Sequence, residues 1–194
     1  MRRFPRLLAA SLLAATVGGC STNDGRDMQA PKDGQTETIG IATTTVAGQT
    51  TLTLTAPWQD GAVIDKRYTC DGENVSPALS WTGAPADVSA WALVLTDTEA
   101  PTFSHWAAAN IDASAGSVAE GFTDDLVAVA MNSDAQPAYT GPCPPAGTTH
   151  RYVLTLYALS QVLEAQNGDP APSMRAAIEA AAVATAQVSF SYSR

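Results

Sequence analysis

Two histidines and a pair of carboxylates are the residues of this chain best suited to acid–base chemistry or to ligand binding. The chain has only two histidines, His105 and His150, and each lies beside a predicted turn. Asp97 and Glu99 are separated by one residue, so an extended backbone would place both carboxylates on the same side. Neighbouring carboxylates repel unless a cation or a proton lies between them. The pair His150 and Arg151 could supply that positive charge.

A proline-rich loop precedes the second histidine. Residues 139–147 include three prolines, which fix φ and lack a backbone donor. The N–H groups of Gly141 and Cys143 would then stand in a rigid loop, free to meet a ligand. Oriented backbone amides of this kind form small anion sites.

These residue types leave three functions open. A binding module for a small anion is the first. A hydrolase acting on a phosphoester or a peptide is the alternative, although the chain has no Gly-x-Ser-x-Gly motif. A metal site is the third, but His105 and His150 lie far apart in sequence without local ligand spacing. We therefore predict no catalytic residue, no metal and no cofactor.

The first twenty residues predict export and a lipid anchor. Residues 2–6 carry three arginines, and the apolar run 7–17 is too short to cross a bilayer as a helix of about 20 residues. The run ends in small residues before Cys20, a pattern that resembles the lipobox of bacterial lipoproteins. We predict that residues 1–19 are a signal peptide and that Cys20 carries lipid, with an ordinary secretory signal as the alternative.

Charge restricts the partners of the exported chain. Removing the signal's three arginines from the ten basic residues leaves seven against 19 acidic ones, a formal balance of −12. Such a surface repels nucleic acid and anionic headgroups, so membrane attachment is expected through the lipid alone. Ser21 is not the aspartate that retains many lipoproteins in the inner membrane. We therefore expect a bacterial envelope location, on the periplasmic or outer-membrane side or at the cell surface.

The two remaining cysteines are expected to pair. Cys70 and Cys143 are the only thiols left in a compartment that usually oxidises such pairs. A disulfide between them is the prediction, and two buried thiols are the alternative.

The rest of the chain divides into a tether and one domain. Residues 20–48 are mostly small and polar, so they bury too little to offset the entropy of ordering and are predicted to form a flexible tether. Residues 49–194 fit one mostly β domain, with a late helix over 174–182. Its β-type runs cover residues 51–54, 78–81, 90–95, 106–111, 152–159 and 188–192.

The ordered motifs of this domain resemble the phosphatidylethanolamine-binding protein family, in its bacterial Raf-kinase-inhibitor-like branch. The motifs are Cys70 to Trp81, Asp97 to Pro101, His105-Trp106, Asn110-Ile111, Gly141 to Pro145 and His150-Arg151-Tyr152. The resemblance implies a β-sandwich of two packed, antiparallel-rich sheets with a helix near the C-terminus. It also implies a shallow pocket for small anions such as phosphate, acetate or a phosphorylated headgroup.

The resemblance assigns residues to that pocket. Arg151 is expected to orient a carboxylate from behind. A regulatory role toward a kinase or a protease would follow only by analogy. The ligand-binding set is Asp97, Glu99, Pro101, His105, Gly141, Pro142, Cys143, Pro144, His150 and Tyr152.

The sequence departs from the family pattern in two places. The acidic motif usually reads Asp-Pro-Asp-x-Pro, whereas Thr98 and Glu99 occupy its second and third positions here. The segment between Ile111 and Tyr139 is shorter than the resemblance implies, which either opens the pocket or alters a contact within a homodimer. The natural ligand and any protein partner stay open.

The pH dependence of the pocket follows from its imidazoles. Histidines titrate near pH 6.5, and nearby carboxylates favour their charged form. We therefore expect anion binding to strengthen below neutral pH.

Overall fold

The computed structural model describes residues 51–194. Short and long strands, one 3-10 helix at Lys66–Tyr68 and one α-helix, α1 at Ala171–Ala181, make up its regular structure. The strands are β1 Thr53–Thr55, β2 Ala62–Val63, β3 Leu79–Thr82, β4 Ala90–Asp97, β5 Ser104–Asp112, β6 Ser117–Val118, β7 Ala128–Val129, β8 Thr149–Leu159 and β9 Ala182–Ser193. No helix within residues 51–194 is both long enough and apolar enough to cross a membrane.

The strands form two sheets. A small antiparallel sheet has the order β1-β3-β6, and a larger sheet has the order β2-β9-β8-β4-β5-β7. Its pairs are antiparallel except for the parallel contact of β2 with β9. The predicted mostly β fold, with two antiparallel-rich sheets and a late helix, is confirmed.

The central strand β4 is buried along nearly its whole length because both faces of the large sheet are covered. On one face, large side chains such as Trp91 and Leu93 pack with residues of the small sheet, including Leu79 and Trp81, in one core. On the other face, here called the helix-covered face, alanines of β4 and β5 pack with α1. Continuous apolar runs are typical of strands covered on both sides.

Helix α1 buries one stripe and ends directly in a strand. Its buried residues are Ala171, Met174, Ile178 and Ala181, spaced as one helical face requires. Proline is well tolerated in the first helical turn, and the helix begins three residues before the predicted residue 174. Ala182, predicted to be helical, already belongs to β9.

The other predictions of local structure fare unevenly. Every predicted β-type run overlaps an observed strand, but β9 extends six residues earlier than its predicted run, and the two-residue strands β2, β6 and β7 were not predicted. The predicted signal peptide, the lipidated Cys20 and the tether at 20–48 lie outside the described residues.

Candidate functional site

Both histidines converge on the carboxylate of Asp97. The Nδ1 of His150 lies 2.7 Å from Oδ2 of Asp97, and the Nε2 of His105 lies 3.9 Å from the same oxygen. Strand order explains the meeting, because β4 ends at Asp97 between β5, which carries His105, and β8, which carries His150. Tyr152 lies directly opposite Asp97 on β8. We call Asp97, Glu99, His105, His150 and Tyr152 the acid–histidine site.

Asp97 has both carboxylate oxygens engaged by donors. Its Oδ2 accepts from His150, and its Oδ1 accepts the backbone N–H groups of Glu99 at 2.9 Å and Ala100 at 3.0 Å. Burial alone would raise the pKa of Asp97, but these hydrogen bonds together outweigh it and hold the pKa below its usual value. The side chain is thus a buried, ionised acceptor.

The backbone after Asp97 differs from the extended geometry that the sequence predicted. The extended chain predicted through Asp97 and Glu99 is wrong, because β4 ends at Asp97 and the next three residues bend. The aspartate closes a local turn by accepting from the second and third residues after it. The two carboxylates still lie close to His150 because the turn folds Glu99 back toward β8.

Arg151 meets Glu99 through its backbone. Its N–H donates to Oε2 of Glu99 at 2.7 Å, and the hydroxyl of Thr98 donates to the same oxygen at 2.9 Å. These bonds, led by that from Arg151, lower the pKa of Glu99. The exposed Arg151 guanidinium forms no ion pair with the described residues, so the expected answering charge from its side chain is not found there.

His105 is held in a defined tautomer. Its Nδ1 lies 2.9 Å from the carbonyl oxygen of Thr140, and because a carbonyl can only accept, Nδ1 carries the hydrogen. In the neutral ring, Nε2 then presents a lone pair toward Asp97. Burial lowers the pKa of His105 and outweighs the opposing effects of Thr140 and Asp97. Asp97 favours the charged form of His105, as expected, but burial decides the net direction.

Tyr152 adds a buried donor to the site. Its ring lies edge-on to that of His105, with centroids 5.4 Å apart, and is stacked at 6.3 Å from that of His150. The hydroxyl is fully buried and has no partner at good hydrogen-bond geometry among residues 51–194, although Asp97 and the Cys143 backbone lie near enough to affect its pKa. Burial first, and the charge of Asp97 next, raise its pKa. An unpaired buried hydroxyl is costly in a folded protein, and because this one is sealed from solvent, a ligand oxygen would reach it only if neighbouring side chains moved.

The proline-rich loop is attached to the segment around Cys70. The predicted disulfide joins Cys70 to Cys143, with 5.4 Å between their Cα atoms. The N–H of Cys70 donates to the carbonyl of Pro142 at 3.2 Å. Both Pro142 and Pro144 are fully buried, whereas Cys143 between them is exposed.

The Gly141 amide is not free, contrary to expectation. Its N–H donates to Oδ1 of Asn74 at 2.7 Å. Gly141 also approaches Tyr68 so closely that a Cβ would collide with the Tyr68 carbonyl oxygen, which explains the glycine. Asn74 was not predicted as a site residue, although it lies within the first family motif and its φ of 56° is left-handed, a conformation that asparagine tolerates better than most residues.

Pro101 lines a cavity that contains none of the other predicted ligand-binding residues. It is exposed and lines a cavity of about 370 Å³ with Thr102, Ser104 and residues of α1 such as Arg175. A larger cavity of about 610 Å³ lies between α1 and residues 160–165 and contains none of the predicted site residues. The acid–histidine site is thus identified by its side-chain chemistry and not by the size of a cavity.

A divalent cation has three candidate ligands here. One atom each from Asp97, Glu99 and His150 lie within 4.8 Å of one another. The hydrogen bond between His150 and Asp97 occupies two of these side chains with each other. Metal binding through Nδ1 of His150 would replace that bond, so in this geometry the donors fit the hydrogen-bonded pair better than a first-row metal.

Comparisons with known proteins agree with this architecture. The family model described as phosphatidylethanolamine-binding protein matches residues 55–193. "Putative lipoprotein LppC" of Mycobacterium tuberculosis is 35% identical over 192 residues, covering 97% of this chain and 95% of the relative. A UPF0098 protein of the same species is 40% identical over 160 residues, covering 80% and 77%. The solved "Putative PhosphatidylEthanolamine-Binding Protein (PEBP) Homolog CT736" of Chlamydia trachomatis is similar with a TM-score of 0.68 at 27% identity, covering 75% of this chain and 99% of that one.

Proposed function

The chain belongs to the phosphatidylethanolamine-binding protein family, and from that premise we propose that it is a lipid-anchored binding module of the bacterial envelope. Its acid–histidine site would hold a small oxyanion, such as phosphate, a carboxylate or the phosphate of a headgroup. The observation that carries the proposal is the convergence of His105 and His150 on the buried carboxylate of Asp97, with the Tyr152 hydroxyl buried beside them.

An anion can bind beside Asp97 only if the negative charge of that carboxylate is offset by donors or by positive charge. The carboxylate already accepts from His150 and from two backbone amides, which offset part of its field. The Tyr152 hydroxyl is a buried donor without a partner. Protonation of His105 at Nε2 would add a positive donor 3.9 Å from Asp97. The site is therefore suited to an anion most strongly when His105 is charged.

Protonation of His105 requires a pH below the usual histidine range. Because burial lowers the pKa of His105, the protonated ring becomes populated only below about pH 6.5, the ordinary value. Anion affinity should accordingly rise as the pH falls below that value.

The lipid anchor rests on sequence and on similarity. Cys20 follows a signal-like apolar run and small residues, and the printed name of a relative that covers nearly the whole chain is that of a lipoprotein. A single acyl chain binds a membrane only marginally, so the several chains on a lipidated cysteine would together anchor the protein stably. An inhibitory role toward a kinase or a protease would rest on analogy with the branch alone.

The binding proposal is tested by calorimetric titration of the full chain with sulfate. Sulfate keeps its charge between pH 5 and pH 8, so any change in affinity reports the protein. We expect clearly tighter binding at pH 5 than at pH 8, and the difference should be lost in His105→Asn. Equal affinities at the two pH values in the wild type would contradict the proposal.

The anchor is tested separately by detergent-phase partitioning. The wild type should enter the detergent phase and Cys20→Ser should stay in the aqueous phase. An unchanged aqueous fraction between the two chains would argue against lipidation. Because the two assays share no readout, either half of the proposal can fail alone.

Hydrolysis is the second candidate, favoured by one observation. A carboxylate that binds Nδ1 of an imidazole, as Asp97 binds His150 at 2.7 Å, is the arrangement that orients a histidine as a general base. The thiol that could have served as nucleophile, Cys143, is in the disulfide. Release of product from a phosphoester such as p-nitrophenyl phosphate, lost in His150→Gln, would establish this reading instead.

A further inference from the structure

A third cavity, of about 360 Å³, shares no residue with the acid–histidine site. We call it the aromatic cavity, because the side chains of Trp106, Phe122 and Tyr139 line it. The rings of Trp106 and Tyr139 meet edge-on with centroids 5.7 Å apart. Its volume falls within the range of about 300–1,000 Å³ that small-molecule sites occupy.

The charged residues that line the aromatic cavity are all acidic. Asp124 and Asp125 line it, and no lysine, arginine or histidine does. Neither aspartate forms an ion pair with any described residue. Asp124 accepts the backbone N–H of Leu126 at 2.8 Å, whereas Asp125 has no hydrogen-bond partner between residues 51 and 194. A cationic ligand would therefore meet acceptors and no competing cation.

The indole of Trp106 is a separate indication of a ligand. The residue is 3% exposed, yet its N–H has no hydrogen-bond partner within the part of the chain that the structure describes. The indole of Trp91 instead donates to Ala113 at 3.1 Å. Those of Trp58 and Trp81 are also without a partner but are sealed from solvent, which that of Trp106 is not. The Trp106 donor is thus unpaired and not sealed, in a residue that lines the cavity.

We propose that the aromatic cavity binds an organic ammonium ligand with an apolar body and an oxygen acceptor. The body would lie against the aromatic rings, which also attract cations. The ammonium would lie near Asp124 and Asp125, and the oxygen would accept from the indole of Trp106. This inference is independent of the proposed anion site, because the two sets of residues do not overlap.

The test compares two probes with the same body and opposite charges. Tyramine carries an ammonium, and 3-(4-hydroxyphenyl)propionate carries a carboxylate in the same place. The full chain, labelled with ¹⁵N in its four tryptophans, is titrated with each while the indole signals are recorded. Trp106→Phe identifies the Trp106 signal, and assignment through the backbone serves if that variant does not fold. We expect the Trp106 signal to shift saturably with tyramine and about tenfold more weakly with the acid.

Paired variants separate the cavity's carboxylates from general charge. Asp124→Asn with Asp125→Asn should weaken tyramine binding about three- to tenfold, as expected for partly exposed charges. Asp87→Asn with Asp112→Asn removes the same charge from exposed sites outside the cavity, including one carboxylate that closes a local turn, and should leave binding unchanged. Equal affinity for both probes, an unmoved Trp106 signal up to about 20 mM tyramine, or equal effects of the two paired variants would each overturn the proposal.

Discussion

The buried residues of the acid–histidine site, Asp97, His105 and Tyr152, and those of the helix-covered face are stabilised in opposite ways. The helix-covered face consists of alanines from β4 and β5 against the buried stripe of α1, and its energy comes from contact between small apolar groups. The acid–histidine site consists of polar groups that hydrogen-bond across long stretches of chain. His150 and Asp97, for example, are 53 residues apart.

This difference shows where specificity and stability reside. The helix-covered face needs only apolar side chains of about the right size, so it should tolerate change in proportion to the volume lost. Buried polar groups instead depend on the partner that answers each of them. Substitutions in the two regions should therefore separate stability from anion binding.

The largest expected effect comes from the disulfide near the acid–histidine site. Cys70 and Cys143 are 73 residues apart in sequence, and closing a loop of that size stabilises a fold by about 4 kcal/mol in the chain-entropy account. Replacing both cysteines by alanine should lower the free energy of unfolding by about that amount, measured by urea denaturation. A loss below about 1 kcal/mol would show that the loop is held by its hydrogen bonds alone.

The next effect tests the helix-covered face. Ile178 is fully buried there, so Ile178→Ala should cost about 3 kcal/mol of stability and Ile178→Val about 1 kcal/mol. Sulfate affinity should not change, because Ile178 packs on the face opposite to Asp97. A loss of affinity in the folded Ile178→Val protein would mean that the two regions are coupled.

A smaller effect is expected at Asp97. Asp97→Asn keeps an oxygen acceptor but removes the charge that answers His150 and two amides, so stability at pH 7 should fall by about 2 kcal/mol. The pKa of Asp97 is lower in the folded protein, so its stabilising effect exists above its unfolded pKa of about 3.9 and is lost as the pH falls through the folded value. The stability curves of the two proteins should approach each other in acid, and parallel curves would refute the assignment.

The smallest effect on stability is expected at Tyr152, where the substitution should stabilise the free protein. Tyr152→Phe removes a buried hydroxyl that lacks a partner, so the free protein should become more stable, by at most about 1 kcal/mol. Sulfate affinity should fall severalfold. Tyr139→Phe is the matched control, because its hydroxyl donates to Tyr68 at 2.7 Å and its loss should destabilise. A less stable Tyr152→Phe protein would show that the hydroxyl has a partner already.

The sequence indicated which residues come together at Asp97, but it did not indicate their local geometry. Continuous apolar runs predict the strands that carry His105 and His150. The ordered family motifs indicated that both imidazoles share a pocket with Asp97. The turn after Asp97 was missed because an aspartate that accepts from amides two and three residues later looks, in sequence, like any strand end. The engagement of Gly141 by Asn74 was missed because the contact spans 67 residues.

The direction of the His105 pKa could not be read from the residues either. Its neighbours are carboxylates, which favour the charged ring, but burial decides the outcome. Burial of His105 depends on how the loop around Thr140 closes over β5, and nothing local in the sequence shows that closure.

The most direct test of the account is a titration of the His105 ring by ¹⁵N NMR, without and with saturating sulfate. Affinity and protonation are linked, so an anion that prefers the charged ring must raise the pKa of that ring by the same free energy. The account predicts a His105 pKa below about 6.5 in the free protein and a higher value with sulfate bound. A His105 pKa that sulfate leaves unchanged would contradict an oxyanion site at Asp97 and His105.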